Sequence, residues 1–475
     1  MVSLSDFVKA YDVRGLVPEQ LSPEVARAVG AAFAEVVVLP DHQSGIVVGH
    51  DMRPSSPELS TAFADGVTSR GVDVALLGLT STDELYYASG ALDRPGAMFT
   101  ASHNPARYNG IKLCRSAARP IGRETGLAEI RDLAQWLLER PTGLFTPPTG
   151  RGTVEVRQVL ADYATFLRSL VDLSGIRPLS VVVDAGNGMG GHTVPAVLGT
   201  AAGLPKLPVT VIPLYFELDG TFPNHEANPL DPANLVDLQA AVTRHGADLG
   251  LAFDGDADRC FVVDAAGQPV SASAITALVA TREIGRARAA GDTDIRVVHN
   301  VVSSRAVAEV IREHGAQPVR ARVGHSYIKA DMASTGAVFG GEHSAHYYFR
   351  DFWFADTGML AALHVLAALG EQDAPLASLV AGYERYVSSG EINSTVEDAS
   401  AVLDALRAWA TVRGADIDEL DGLSVTVPEP VEPMWWFNVR ASNTEPLLRL
   451  NVEAADRETM VRVRDEILGL IRGGA

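Results

Sequence analysis

The chain has only two cysteines, Cys114 and Cys260, among 475 residues. That excludes a disulfide framework and fits a reducing compartment. No run approaches the ~18 consecutive apolar residues of a membrane-spanning helix. The opening residues, Met1-Val2-Ser3-Leu4-Ser5-Asp6, lack the basic-then-apolar order of a secretory leader, so a cytoplasmic location is expected. Positive charge is also scarce. Thirty-nine Lys and Arg face fifty-nine Asp and Glu, a net charge of −20. Nucleic acid and anionic membrane are therefore not expected partners, although a local arginine cluster can still bind an anionic small molecule. What is present is ordinary globular material, 47% hydrophobic and 21% charged. The length suggests three or four domains.

One stretch organises the rest: Phe99-Thr100-Ala101-Ser102-His103-Asn104-Pro105. The apolar run Gly96–Phe99 reads as a short buried strand, and Asn104-Pro105 stops it. Ser102 and His103 therefore sit on a turn at a strand end. Lys112 follows in the strand-like run Gly110–Leu113. A hydroxyl, an imidazole and an ammonium so close together suit a group-transfer centre, with a phosphate carrier or nucleophile beside an acid/base. A surface turn rich in Ser and Asn is the plain alternative.

Around this stretch, apolar runs alternate with helical patterns, which argues an α/β domain with a largely parallel sheet. Near the start, Tyr11, Arg14 and Gly15 read as a turn with a cation that could face an anion. Pro141 to Gly152 reads as a first linker. The strand 180–184 then enters Ala185-Gly186-Asn187-Gly188-Met189-Gly190-Gly191. Gly186, Gly188 and Gly191 match the dinucleotide fingerprint, and Glu217 follows the next strand. Tight strand-to-helix packing also favours glycine at such turns.

The strand 247–253 runs into Asp254-Gly255-Asp256-Ala257-Asp258-Arg259. Carboxylates at alternate positions share one side of an extended segment. Three crowded Asp repel unless a cation neutralises them, and oxygen ligands suit Mg²⁺. A third α/β unit, with strands near 295–298, 319–323 and 337–339, carries a loop-like Gly324-His325-Ser326-Tyr327-Ile328-Lys329. It ends in Gly340-Gly341-Glu342-His343-Ser344-Ala345-His346, polar groups suited to sugar hydroxyls. The three units together read as a weak repeat of about 110 residues. The last hundred residues differ and read as a small α+β domain. Between two of its strands lies Arg440-Ala441-Ser442-Asn443-Thr444, a phosphate cradle by chemistry.

These four motifs, in this order and across the whole chain, resemble the α-D-phosphohexomutase superfamily in its phosphomannomutase/phosphoglucomutase branch. The resemblance implies three similar α/β domains with mixed sheets and a smaller C-terminal α+β domain around a central cleft. Its boundaries fall at 1–150, 151–266, 267–375 and 376–475. It implies Ser102 as phosphoserine carrier, and Mg²⁺ held by Asp254, Asp256, Asp258 and a phosphoserine oxygen. Lys112 is implied as general acid/base, with His103 and Arg259 in support and Tyr11 and Arg14 as the N-terminal pair. His325, Glu342, Ser344 and His346 would face the sugar. Arg440, Ser442, Asn443 and Thr444 would grip the phosphate that stays in place. The loop 300–304 lacks a lysine that some members carry.

The implied reaction is reversible transfer between C6 and C1 of a hexose phosphate, of mannose or glucose, through a hexose 1,6-bisphosphate. A free lysine has a pKa near ~10.4, so Lys112 is expected to have its pKa lowered by burial or neighbouring positive charge. The alternatives are a phosphoglucosamine mutase, a Mg²⁺-dependent sugar phosphatase, a nicotinamide-dependent oxidoreductase built on Gly186–Gly191, and a non-catalytic sugar-phosphate sensor. A monomer is expected, with a dimer left open.

Overall fold

The computed structural model describes residues 3–8, 11–140, 150–427, 433–441 and 447–473. The chain divides into two compact units, Met1–Val270 with Ser344–Leu379, and Ser271–His343 with Val380–Ala475.

In the first unit, six strands form a mixed sheet: β1 (Val13–Leu16), β2 (Gly45–His50), β3 (Asp73–Leu79), β4 (Gly96–Phe99), β5 (Tyr108–Cys114) and β6 (Val154–Val156). Their order is β1-β5-β4-β2-β3-β6. β2, β3, β4 and β6 run parallel, while β5 is antiparallel to both β4 and β1. β4 and five of the six residues of β2 are apolar and buried without alternation, as expected for central strands covered on both faces. The helix Thr82–Leu92 opens on a capping box, with the Ser81 hydroxyl accepting from the Glu84 amide, which fixes where that helix starts.

A second sheet has the order β11-β10-β9-β7-β8, from β7 (Leu179–Asp184), β8 (Val209–Leu214), β9 (Leu249–Phe253), β10 (Cys260–Asp264) and β11 (Pro269–Val270). In the second unit, β12 (Arg296–Asn300) is flanked in parallel by β13 (Gln317–Ala321) and β14 (Phe339–Gly341). Back in the first unit, β15 (Tyr347–Phe349) pairs antiparallel with β16 (Ala355–Asp356). The C-terminal sheet is antiparallel, with β17 (Val387–Thr395), β18 (Asp416–Asp418), β19 (Leu423–Val427), β20 (Trp435–Ala441) and β21 (Leu447–Ala454) in the order β17-β21-β20-β19-β18. One face of that sheet buries Trp435, Phe437, Val439, Leu448, Leu450 and Val452 against helices Ala399–Val412 and Arg457–Gly473. Three α/β sheets and a C-terminal α+β sheet are thus in place, with mixed strand directions as expected.

Three local expectations change. Gly15 lies inside β1, paired with Asn109, rather than on a turn; a Cβ there would press against Gln20 at 3.0 Å and Phe7 at 3.1 Å. The segment read as a loop at Gly324–Lys329 is the start of a helix, His325–Thr335, with Lys329 buried. Ile328 and Met332, one turn apart, supply its apolar stripe, and Gly336 ends it in a left-handed conformation. Val154–Val156, beyond the proposed linker, returns to the first sheet as β6 beside β3. Most of that linker, 141–149, lies outside the described residues. Among the described residues, no helix is long and apolar enough to cross a membrane.

Candidate active site

The serine loop is held by a buried arginine. Ser102 has φ +48°, a left-handed backbone that is strained for a residue with a Cβ. Its amide donates to Thr100 Oγ1 at 2.9 Å. Arg53, 1% exposed, places all five of its N–H donors. Nε donates to Asp51 Oδ2, Nη1 to the carbonyls of Pro105 and Tyr108, and Nη2 to those of Ser102 and Asn104, over 2.7–3.2 Å. A planar five-donor fork matches four converging carbonyls and a carboxylate, which a lysine could not do. Arg14 extends the support, donating to Asn104 Oδ1 at 2.7 Å and Asp12 Oδ2 at 2.6 Å.

The aspartate loop leaves the fully buried β9 and meets the serine loop directly. A Cβ on Gly255 would lie 2.4 Å from the Ser102 carbonyl oxygen, so glycine is required by the approach of two backbones. The glycine-rich turn after β7 supports the same loop from behind. The Met189 amide donates to the Gly255 carbonyl at 2.9 Å. A Cβ on Gly188 would lie 2.7 Å from that carbonyl oxygen, and one on Gly191 would lie 2.2 Å from the Phe216 carbonyl oxygen. Of the fingerprint glycines, Gly188 thus serves close packing onto the aspartate loop, Gly191 serves close approach of the Phe216 backbone, and Gly186 serves a left-handed turn at φ +51°.

Ser102 Oγ donates to Asp254 Oδ2 at 2.7 Å, although 152 positions separate them. Arg259 clamps the same carboxylate through Nε at 2.9 Å and Nη2 at 2.7 Å, and Nη2 lies 3.4 Å from Ser102 Oγ. Lys112 Nζ reaches Asp256 Oδ2 and Asp258 Oδ2, each at 2.6 Å. Thr82 Oγ1 donates to Asp256 Oδ2 at 2.5 Å. His103 Nδ1 lies 3.3 Å from Ser102 Oγ, and His346 Nε2 lies 3.7 Å from Asp258 Oδ1. The Ser344 hydroxyl and His346 Nδ1 share a hydrogen bond at 3.0 Å.

The three aspartates are buried and offer carboxylate oxygens within 4.8 Å of one another. Oδ1 of Asp256 and Oδ1 of Asp258 accept no hydrogen bond. Buried carboxylate oxygens without donors are costly unless a cation takes them. The donor set, all oxygen and all anionic, fits Mg²⁺.

The electrostatics of the cluster follow from burial and pairing. Burial pushes Asp254 up to about 7 against the pull of Arg259. Burial also opposes the charge on Asp256, yet Lys112 holds its pKa below the usual carboxylate range. Burial, reinforced by Arg259 and Arg14, holds His103 well below the ordinary imidazole value, so it is a neutral ring at pH 7. For Lys112 the expectation of a lowered pKa is overturned. Burial does work against its ammonium, but Asp256 and Asp258 outweigh it and raise the pKa.

Of the other residues singled out in the sequence, Tyr11 is half-buried beside β1 in the first unit. Glu342 and His325 belong to the second unit. Glu342 Oε2 accepts from Asn300 Nδ2 at 3.1 Å and from the Gly324 amide at 3.3 Å, the residue just before His325. Arg440 lies near the end of β20 and pairs with Glu391 at 3.0 Å. Ser442, Asn443 and Thr444 lie outside the described residues.

A phosphomannomutase of Escherichia coli is 39% identical to this chain over 480 residues, covering 99% of the chain and all of that protein. The chain belongs to the phosphoglucomutase/phosphomannomutase family. Family models for alpha/beta/alpha domains I, II and III match residues 6–137, 161–267 and 272–386, and the C-terminal domain model matches 391–470. Proteins named phosphohexose mutases from Xanthomonas campestris are 39% identical over 468 residues, 98% of this chain and 99% of theirs. The crystal structure of a phosphoglucomutase/phosphomannomutase family protein from Burkholderia thailandensis superposes with a TM-score of 0.85 at 33% identity, covering 100% of this chain and 99% of that one. The α-D-phosphohexomutase superfamily and the hexose-phosphate mutase class expected from the motifs are those of these relatives.

Sequence reasoning missed Arg53, Asp51 and Thr82. Each stands alone just after a strand end, with no motif around it, and its partners are distant in sequence. The only available signal was polar residues following the apolar runs 45–49 and 74–79.

Proposed function

We propose that this mutase interconverts the 6- and 1-phosphates of a hexose, mannose or glucose, with Ser102 as the phosphoryl carrier. The observation that carries this reading is the Ser102 hydroxyl hydrogen-bonded to Asp254 inside a buried carboxylate triad and beside Arg259. In the first half-reaction the bond from phosphorus to Ser102 Oγ breaks and a bond from phosphorus to the free sugar hydroxyl forms. The hydroxyl proton leaves to a base, and the product is a hexose 1,6-bisphosphate. After the bisphosphate turns over, its other phosphoryl group returns to Ser102.

Asp254, Asp256 and Asp258 would hold Mg²⁺, which when bound supplies positive charge beside the transferring group and competes with Lys112 for Asp256 and Asp258. Arg259 orients Ser102 and offsets charge on its oxygen. Neutral His103 can accept or donate one proton at Nδ1. Lys112 stands as the ammonium donor to the oxygen that gains charge, and passes to the base role only when its carboxylate partners are drawn away. His346 and Ser344 form a hydrogen-bonded pair suited to sugar hydroxyls, Glu342 and His325 in the second unit offer a carboxylate and an imidazole of the same use, and Arg440 with the 442–444 segment suits the resident phosphate. The proposed domain limits are those given by the four motifs.

The test is Ser102→Ala with hexose 6-phosphates and 1-phosphates of mannose, glucose and glucosamine. Isomerisation should vanish, and phosphoryl label from a hexose 1,6-bisphosphate should no longer enter the protein. Retained isomerisation would overturn the carrier role, and release of inorganic phosphate by the wild type without isomerisation would favour a phosphatase.

A further inference from the structure

Asn187 stands between the first two fingerprint glycines, and no step of the proposed reaction uses it. It is 3% exposed and has φ +58°, a left-handed backbone that asparagine tolerates better than most residues. All four of its polar groups are engaged by one loop, 215–224. Its amide donates to the Tyr215 carbonyl at 2.9 Å, and its own carbonyl accepts from the Asp219 amide at 3.0 Å. Its side chain donates from Nδ2 to the Glu217 carbonyl at 2.9 Å and accepts at Oδ1 from Asn224 Nδ2 at 2.8 Å. Glu217, the acid of the dinucleotide layout, thus enters through its carbonyl. The glycine-rich turn shapes a loop.

That loop lies on the segment that carries Arg53. A Cβ on Gly220 would be 2.6 Å from Arg53 Cα and 2.9 Å from Pro54 Cδ, so two stretches of backbone meet with nothing between them. Two residues on, Phe222 has φ +52°. A bulky aromatic in the left-handed region is strained, and such strain persists only where the surroundings hold it. Here the Phe222 amide donates to the Asp219 carbonyl at 3.0 Å. Asp219 Oδ1 in turn accepts from the Thr221 amide at 2.8 Å and its hydroxyl at 2.7 Å. On backbone grounds glycine or asparagine suits position 222 better. What the ring touches explains its presence: Arg53 Cζ lies over it, 5.1 Å from its centroid. The five N–H groups of Arg53 lie in the guanidinium plane and are already engaged. What remains to be covered is the flat face, where an aromatic ring attracts the cation and excludes water.

We propose that Phe222 is a positioning residue of the mutase: it covers a face of Arg53 and thereby holds the Ser102 and Asn104 carbonyls, and with them the left-handed turn that aims the Ser102 hydroxyl. The loop 215–224 sets the ring, and Asn187 sets the loop. The glycine-rich turn therefore reaches the carrier serine by this route as well as by packing on the aspartate loop. The kinetic part of this inference rests on the mutase reading above; the effect on the serine loop does not.

The experiment compares full-length Phe222→Ala, Phe222→Leu, Phe222→Tyr and Phe222→Gly by coupled hexose-phosphate isomerisation, urea midpoint and hydrogen exchange of the peptide 99–108. Loss of a desolvated cation–π contact predicts a kcat about tenfold lower in Phe222→Ala, with KM within about twofold of wild type. Amides of the peptide 99–108 should exchange faster. Phe222→Leu should stay as slow, since an alkyl group has no negative face, and Phe222→Tyr should return to within about twofold of wild type. Should Phe222→Ala melt early, the Leu and Tyr pair carries the comparison. Phe222→Gly relieves the backbone strain. Its midpoint should match or exceed that of Phe222→Ala while its kcat is equally low; a purely structural ring would move the two together. With Arg53→Lys already present, Phe222→Ala should add less than about twofold, because the group it acts through is gone. Wild-type kcat in Phe222→Ala, full rescue by Leu, or additive losses with Arg53→Lys would overturn the proposal. Exchange separates the two readings. If the wild type isomerises while exchange at 99–108 ignores Phe222, only this inference fails. If exchange responds but no isomerisation occurs, only the mutase reading fails.

Discussion

Arg53 touches none of the groups proposed to meet the substrate, yet the serine loop depends on it. Replacing it with lysine keeps the charge and reduces five donors to three. At least two of its five hydrogen bonds must go. At about 1.5 kcal/mol for each hydrogen bond to a charged group, the loss is about 3 kcal/mol. Arg53→Met removes all five and leaves Asp51, fully buried, without its cation; breaking a buried pair in this way costs about 3–5 kcal/mol. The loop carbonyls at Ser102 and Asn104 then have no donor from this side, and the left-handed turn at Ser102 relaxes. A shift of about 1 Å in a reacting group is enough for roughly a hundredfold loss in rate. Arg53→Lys should therefore lower the denaturant midpoint and reduce kcat at least tenfold with little change in KM. The double variant Asp51→Asn/Arg53→Met should regain part of the stability and none of the kcat, because it removes the uncompensated charge without restoring the loop. A coupled isomerisation assay and a urea titration measure both. Arg53→Lys with wild-type kcat and midpoint would refute the argument that this guanidinium positions Ser102.

Removing divalent metal with a chelator should stop turnover, and Mg²⁺ should restore it and raise thermal stability, by about 2.7 kcal/mol at ~100 Kd; Asp256→Asn should abolish that thermal shift, and full turnover by metal-free protein would contradict the triad's role. Gly255→Ala places a Cβ 2.4 Å from the Ser102 carbonyl oxygen. It should cost about 1–3 kcal/mol of stability and separate the two loops, with activity falling far more than stability; a normal rate would show that the loops need not touch. His225 hydrogen-bonds Asp184 at 3.0 Å. Burial opposes its charge but the bond to Asp184 prevails and raises its pKa above 6.5. Its stabilising contribution is thus complete below pH 6.5 and is lost as pH rises through the higher folded value. Urea midpoints from pH 6 to 9 should fall less steeply for His225→Gln than for wild type; parallel profiles would remove His225 from the account.

Much of the architecture was legible because it is written locally. The unbroken apolar runs 45–49, 181–183 and 249–253 announce buried strands, and the helical stripes between them announce crossovers. Turn residues mark where strands stop, so Ser102 and Asp254 could be placed at strand ends from the sequence alone. The four loop motifs also declared the family, since each has a composition that an ordinary turn does not need. The helix from His325 was misread because its first residues, Gly324-His325-Ser326, look like a loop and its apolar stripe is only two residues wide.

The residues themselves determined which chemical groups stand at the ends of strands, because alternation, periodicity and turn chemistry act over a few positions. Only the tertiary structure decided what those groups do to one another. Lys112 is held as an ammonium by carboxylates 144 and 146 positions away, and Arg53 reaches loop carbonyls about fifty positions downstream. Arg449 meets Arg440 and Glu391 only because three strands lie side by side. Charge and hydrogen-bond energies depend on distance and burial in space, and neither quantity is a property of position along the chain.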